Sequence, residues 1–464
     1  MRLPTALTAV LLSSIAALPA KAQQAVVPDQ DTPLQARYRA VADRLVDAAL
    51  ADSSAWRRMA RITDSFGPRL AGSEGLARAL DFILAEMRRD GLDSVRGEPA
   101  MVPHWVRGAE SAELVEPRRT PLPMLGLGGS VATPRGGITA EVLVVSSFDE
   151  LERRSAEARG RIVLFDVPWQ GYGRTVQYRS TGAIAAGRSG AVAALLRSVT
   201  PSAMRTLHTG SMRYDTAVAR IPFAAITVED AAMLHRMQER GERVVVRLAM
   251  SARTLPDVPS QNVVGEIVGA ERPDEVVVIG GHTDSWDVGT GAMDDMGGVV
   301  VAWEAVRVMR RLGLRPRRTV RVVGWVNEEN GVRGGLAYRD AHRDRLADHV
   351  LAIESDGGVF RPTGFGFTGS DAALALVRQV GGLLRRIGAD TVTRGGGGVD
   401  IEPITELGVP AMGLNTDGVR YFWYHHGTAD TADKLDPREM AQCVAAMAVM
   451  AYVMADMPER LPRS

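Results

Sequence analysis

The stretch Glu275-Val276-Val277-Val278-Ile279-Gly280-Gly281-His282-Thr283-Asp284 decides the reading of the chain. A short β-branched run that is apolar on both faces and bounded by glycines has the pattern of a strand buried inside a parallel sheet, and it delivers a histidine and a carboxylate at its end. Further strands are predicted at 263–267, 319–325, 350–353 and 411–414, with helices at 296–312 and 371–387 between them. Ser370 and Asp371 are caps for the second of these helices. A last helix opens with Asp436 as cap and Pro437 at its first position and runs to Met457. This alternation predicts an α/β fold with a mixed, mostly parallel central sheet sandwiched by helices. The last helix is apolar nearly all round, but Arg438, Glu439, Gln442 and Asp456 interrupt it, so it reads as a buried helix rather than a membrane span.

Upstream, residues 32–88 alternate apolar and charged positions at helical spacing around a turn-rich Gly67-Pro68-Arg69-Leu70-Ala71-Gly72-Ser73, which predicts two or three surface helices. Two proline-containing stretches, Pro117-Arg118-Arg119-Thr120-Pro121-Leu122-Pro123 and Leu255-Pro256-Asp257-Val258-Pro259, read as linkers. Between them lies an inserted domain over 119–253, with strands at 141–145 and 161–167 and a small-residue helix running into a strand over 182–197. The remaining segments, 23–118 and 254–464, then form one discontinuous domain. The first 22 residues read as an export signal: Arg2, an apolar run from Ala6 to Leu18, and a small-x-small cleavage site at Ala20-Lys21-Ala22. The run is short for a bilayer span, and the expected location is periplasmic or extracellular after cleavage near Ala22.

The 464 residues carry 55 Lys+Arg against 55 Asp+Glu, which leaves no electrostatic footprint for nucleic acid. A small or weakly charged partner is expected instead. The single cysteine, Cys443, excludes an intramolecular disulfide and a cysteine-based metal site. Any metal must therefore be held by His, Asp and Glu.

Such residues gather at the strand ends: His282 and Asp284, Glu328 and Glu329, and Glu354 and Asp356. In an open parallel sheet these ends face one crevice, where ligands bind. Asp294-Asp295 and Tyr424-His425-His426, with Asp430-Thr431, add to the set. Each piece alone is an ordinary loop, cap or surface group. Together they place charges where burial without a counter-charge costs several kcal/mol each, a penalty that a cation removes. Histidines and carboxylates without thiolates suit zinc, and two ions about 3.5–4 Å apart need a bridging carboxylate.

The string from Gly281 through Val288-Gly289 to Asp294-Asp295 resembles the di-zinc exopeptidases of the aminopeptidase and glutamate carboxypeptidase superfamily. The likeness to a carboxypeptidase branch of it extends to Leu70-Ala71-Gly72-Ser73, Trp105-Val106-Arg107-Gly108, His208-Thr209-Gly210, Ile226 to Asp230 and Tyr421 to His426, covering nearly the whole mature chain. The resemblance implies a zinc exopeptidase fold with an inserted protease-associated (PA) domain. It implies two Zn²⁺ per subunit, one held by His282 and Asp356, the other by Glu329 and His426, with Asp294 bridging. The family places its second histidine four residues before an Asp-Thr pair, which selects His426 over His425. Glu328 is then the general base and Asp284 the carboxylate that fixes the His282 tautomer. The implied reaction is hydrolysis of dipeptides or short peptides by a zinc-activated water, and a homodimer is implied by the resemblance alone.

For substrate binding, the Arg394-to-Asp400 stretch offers Asp400 for a free ammonium and Gly397 for close backbone approach, while Tyr421 or Tyr424 is a candidate oxyanion donor. His208 is the further candidate for the cleft wall, whereas His104, His235, His342 and His349 default to structural roles. Aminopeptidase polarity stays open beside dipeptidase or carboxypeptidase polarity, because the resemblance includes aminopeptidases; separately, no arginine cluster can be tied to a glutamate side chain, so the sequence supports no glutamate preference. Two other classes share the fold: a metal-free receptor or scaffold, and a single-zinc glutaminyl cyclase-like acyl transferase. Metal count separates them.

Overall fold

The structure, a computed structural model, describes residues 30–463. The export signal expected over 1–22 lies outside the described residues.

Two eight-stranded sheets organise the chain. The first runs in the order Asp93–Val106, Arg253–Ile267, Arg318–Trp325, Arg272–His282, His349–Glu354, Ala411–Thr416, Pro362–Thr368, Thr391–Arg394. Its centre is parallel: Arg272–His282 pairs in that sense with both Arg318–Trp325 and His349–Glu354, and the latter with Ala411–Thr416. The valines of Arg272–His282 are shielded on both faces, which is why the stretch shows no polar alternation. Antiparallel strands flank this centre on either side, which makes the sheet mixed.

Helices cover both faces. Gly297–Arg311 and Pro437–Asp456 pack together in the largest core cluster, with Pro33–Leu50 and Ser54–Phe66 against them and Glu74–Arg89 on the strands Asp93–Val106 and Arg253–Ile267. Asp436 caps the last helix, accepting from the amides of Arg438 and Glu439. That helix is long and apolar enough to cross a membrane, yet most of it is buried inside the protein. The predicted helix over 371–387 is α-helical only through Asp371–Gly381 and tightens into a 3-10 turn at Gly382–Ile387. The N-terminal helices bury their apolar sides in the main core through Leu45, Met59 and Ile83 and keep charged faces outward.

The second sheet has the order Thr120–Leu122, Glu110–Glu116, Val245–Met250, Ile138–Val145, Ile162–Phe165, Ala193–Arg197, Phe223–Ile226, Met124–Gly126. It encloses cores of its own, built on Val144, Leu164 and Ile226 on one face and on Phe165 and Phe223 on the other. It starts at Glu110, before the boundary at 119 that the prolines suggest, because Glu110–Glu116 pairs with Val245–Met250. The first proline stretch is thus a hairpin of this sheet rather than a linker. The second lies within Arg253–Ile267, which pairs with Asp93–Val106 on one side there. A strand with one free edge tolerates proline, which lacks only an amide hydrogen.

Candidate active site

Three strands of the first sheet deliver the polar cluster at their carboxyl ends. His282 ends Arg272–His282, residues 327–329 follow Arg318–Trp325, and Asp356 follows His349–Glu354. Asp294 arrives on the loop before Gly297–Arg311, through a cis Asp294-Asp295 peptide. His426 comes from the segment after Tyr421–Tyr424, and the second sheet closes over that side.

Asp294 stands between the two histidines. Its Oδ1 lies 3.2 Å from His282 Nε2, and its Oδ2 lies 3.4 Å from His426 Nε2. Asp356 Oδ1 is 3.4 Å from His282 Nε2, and Glu329 Oε2 is 3.0 Å from His426 Nε2. The five residues thus divide into two groups that share Asp294. Asp294 Oδ2, Glu329 Oε2 and Asp356 Oδ1 are buried without a conventional hydrogen-bond partner. His425 Nε2 is farther from Asp294, at 3.7 Å. Its ring stacks on His426 at 3.6 Å between centroids and packs beside Tyr172 and Tyr421. Asp295 is also close to His282 and Asp356, but its oxygens already accept from the amides of His282 and Gly298.

Burial, followed by mutual repulsion, pushes Asp294, Glu328 and Glu329 above the ordinary carboxylate range. It holds His426 neutral, in the form that can donate a lone pair, by lowering its pKa well below 6.5. Crowded, desolvated carboxylates beside neutral imidazole are costly unless a cation compensates them. Glu328 stands at the mouth of the cluster with its Oε2 3.9 Å from His282 Nε2.

The supporting groups reveal what the motif reading missed. Asp284 is fully buried, but His282 Nδ1 contacts its main-chain oxygen at 3.1 Å, while the carboxylate is 3.8 Å away. The carboxylate instead accepts from the amides of Asn327, Glu328 and Glu329, at 2.7, 3.1 and 3.3 Å. It positions the loop that carries Glu328 and Glu329. Asp430 does the same for the Asp294 loop, accepting from Ala292, Met293 and Asp294. Burial, with Asp294 nearby, pushes the Asp430 carboxyl up to about 7. Buried Arg69, from the turn-rich segment, donates to the carbonyls of Thr283, Thr290 and Gly291 and so ties both site loops together. No motif flags Arg69, because its partners are backbone oxygens.

A cleft of about 690 Å³ opens over the cluster. Asp294, Glu328, Glu329 and Asp356 line one wall, and Tyr172, Arg179 and Arg213 from the second sheet's body line the other, with Tyr421 and His425 between. Tyr421 and Tyr424 both pack against the main core, and of the two only Tyr421 lines the cleft. Burial, and then Asp294 and Asp356, hold the Tyr421 hydroxyl well above its usual pKa, in its donor form.

Three residues expected on the substrate wall lie elsewhere. Asp400 is 1% exposed and sits beneath the site near Glu354, and burial together with that carboxylate raises its pKa well above the usual range. Gly397 does not line the cleft; only Val399 of that loop does. The loop's glycines serve packing instead, since a Cβ on Gly396 would stand 2.3 Å from the Gly366 backbone. His208 is buried behind the cleft, where its Nδ1–H donates to the His425 carbonyl at 2.7 Å and its Nε2 accepts from Thr206. With Thr209 N donating to His426 O, this strap from the second body holds the segment on which His426 adopts a positive φ of 58°.

Residues 262–451 match peptidase family M28. The chain is 46% identical over 432 residues to carboxypeptidase Q of Mus musculus, covering 92% of each protein. It superposes on the crystal structure of a peptidase M28 precursor from Shewanella amazonensis with a TM-score of 0.89 at 36% identity, covering 92% of this chain and 99% of the other. A zinc aminopeptidase from Bacillus subtilis shares the fold at a TM-score of 0.66 and 18% identity, covering 88% of this chain and 96% of its own.

Proposed function

The chain belongs to peptidase family M28 and is a zinc-dependent exopeptidase, and on that premise we propose that it takes two zinc ions and hydrolyses dipeptides or short peptides with free termini. One ion would be held by His282 and Asp356 and the other by Glu329 and His426, with Asp294 shared. The donor set fits the group: imidazole nitrogens and carboxylate oxygens suit zinc, and the three buried carboxylate oxygens without partners are the ones these roles require. Asp294 carries the reading, because each of its oxygens faces a different histidine. When bound, the ions supply Lewis acidity toward the scissile carbonyl and the attacking water.

The chain's own residues do the rest. Glu328 accepts the proton of the attacking water and returns it to the departing amine, a double duty that suits a carboxyl raised by burial. Trp286 N donates to Glu329 Oε1, which fixes that carboxylate with Oε2 free. Tyr421 and His425 stand where a hydroxyl and an imidazole can donate to the oxyanion. The body of the second sheet is read as a protease-associated insertion that roofs the cleft, in a chain exported through its N-terminal signal and paired as a homodimer.

The test is release of free amino acids from unblocked, N-acetylated and C-amidated dipeptides by zinc-loaded protein, with Glu328→Gln as control. Loss of cleavage with either block establishes a dipeptidase. Cleavage that survives C-amidation but not N-acetylation establishes an aminopeptidase, and no cleavage of any peptide overturns the proposal.

A further inference from the structure

The body of the second sheet hangs from the first by two adjacent crossings, 107–109 and 251–252, which Ser251 N ties together by donating to Ala109 O at 3.0 Å. Two crossings side by side form a hinge, so the body's place over the cleft is set by non-covalent ties. Those ties land on two short segments of the first body. At the crossing, Arg107 grips Asp287 with both prongs, Nε to Oδ2 at 2.8 Å and Nη2 to Oδ1 at 2.5 Å, and it also donates to Gly126 O and Thr209 Oγ1. Gly128 lies so close to the Trp286 ring that a Cβ there would stand 2.0 Å from it. Farther out, Thr209 N donates to His426 O at 3.0 Å, His208 Nδ1–H to His425 O at 2.7 Å, and Thr200 Oγ1 to Phe422 O at 2.7 Å.

Both segments serve the same half of the metal centre. Trp286 N donates to Glu329 Oε1 at 3.2 Å, and its ring packs against that of His426 with centroids 5.6 Å apart. The His282–Asp356 half is built differently. Asp295 and the Asp284 main chain hold His282, and Ser355 N, just before Asp356, donates to Gly280 O, all within the first body. We infer that the body of the second sheet is a positioning device for one half of the metal centre, with Arg107 as its anchor. Arg107 acts through Asp287 and Trp286 on Glu329 and His426, so that docking of the body and binding of a divalent cation by that half favour each other. Such linkage is reciprocal: the factor that docking adds to cation affinity is the factor that the cation adds to docking. A bidentate, largely buried ion pair suits the anchor, because it fixes orientation as well as distance. This deepens the two-zinc reading and rests on it.

The experiment measures zinc affinity by chelator competition in two backgrounds: His282→Ala, which keeps Asp294, Glu329 and His426, and His426→Ala, which keeps Asp294, His282 and Asp356. Arg107→Gln should weaken zinc about 10- to 100-fold in the first and less than about threefold in the second, with Asp287→Asn alike and Arg107→Lys intermediate. Hydrogen exchange read by mass spectrometry supplies the reverse arm with Arg107 intact, and it holds if the Arg107 variants fail to fold. Zinc should slow exchange over 207–212 about tenfold in His282→Ala and leave it unchanged in His426→Ala. The inference is overturned if Arg107→Gln weakens both halves equally or neither, or if zinc bound to His282→Ala leaves exchange over 207–212 as it was. A wild-type chain that takes up fewer than two zinc ions instead sinks the underlying two-zinc reading.

Discussion

Replacing Asp284 by asparagine separates two roles for one buried carboxylate. The residue keeps its size, and its main-chain oxygen still receives His282 Nδ1 at 3.1 Å. What changes is the grip on residues 327–329, where the side chain accepts three amides. Hydrogen bonds to a charged group contribute about 1.5–3 kcal/mol each, and neutral ones about 0.5–1.5. Asparagine keeps the pair at Oδ1 in weakened form and turns an NH₂ toward the Glu329 amide, for a total loss of about 3–4 kcal/mol after the loop relaxes. At about 1.4 kcal/mol per tenfold, kcat/KM should fall by about 10²–10³. The damage should pass through Glu329, so zinc affinity measured by chelator competition should drop about 10- to 100-fold in a His282→Ala background, where the Glu329–His426 group remains. In a His426→Ala background, which leaves the His282–Asp356 group, it should change by less than about threefold. A larger loss in the His426→Ala background would refute this reasoning and restore the carboxylate as the group that fixes the imidazole.

Asp400→Asn should leave KM within about twofold, because Asp400 is buried beneath the site; a tenfold rise would place it on the substrate after all. The metal-stripped chain should lose stability as pH rises. Burial, joined by Asp294 and Asp356 respectively, holds Asp430 up to about 7 and Glu354 up to about 8. Carboxyls raised in the folded state contribute stability that is full below their unfolded pKa near 4 and is lost as pH climbs through 7–8, at up to about 1.4 kcal/mol per pH unit per group. Urea midpoints in chelator should therefore fall between pH 5 and 8.5. Zinc should blunt the fall by favouring the ionised carboxylates nearby, and a midpoint that rises with pH in chelator would contradict the pKa directions.

The central strands were legible because apolar β-branched runs buried on both faces have few alternatives, and the polar residues at their ends were legible because charge following such a run stands out. The structure brings His282, Asp294, Glu328, Glu329, Asp356 and His426 into one cluster. The edges were harder. Asp93–Val106 alternates weakly because it is a two-strand arm, and prolines that look like linkers sit on free strand edges. Asp400 and Gly397 carried the expected chemistry, but the loop turns inward to pack on Gly366, which residue type does not reveal. Arg69 was invisible for the opposite reason: it acts on partners far away in sequence and belongs to no recognisable spacing, whereas Asp430 was visible in its Asp-Thr pair but its grip on the Asp294 loop was not.

The most direct test is the metal content of the purified chain by inductively coupled plasma mass spectrometry, read beside dipeptidase activity. Two zinc ions per chain are predicted, with His426→Ala retaining one and Asp294→Ala losing affinity for both, and peptide hydrolysis disappearing in each case. A single ion that persists in Asp294→Ala, or full hydrolysis by a metal-free chain, would contradict the shared-carboxylate site.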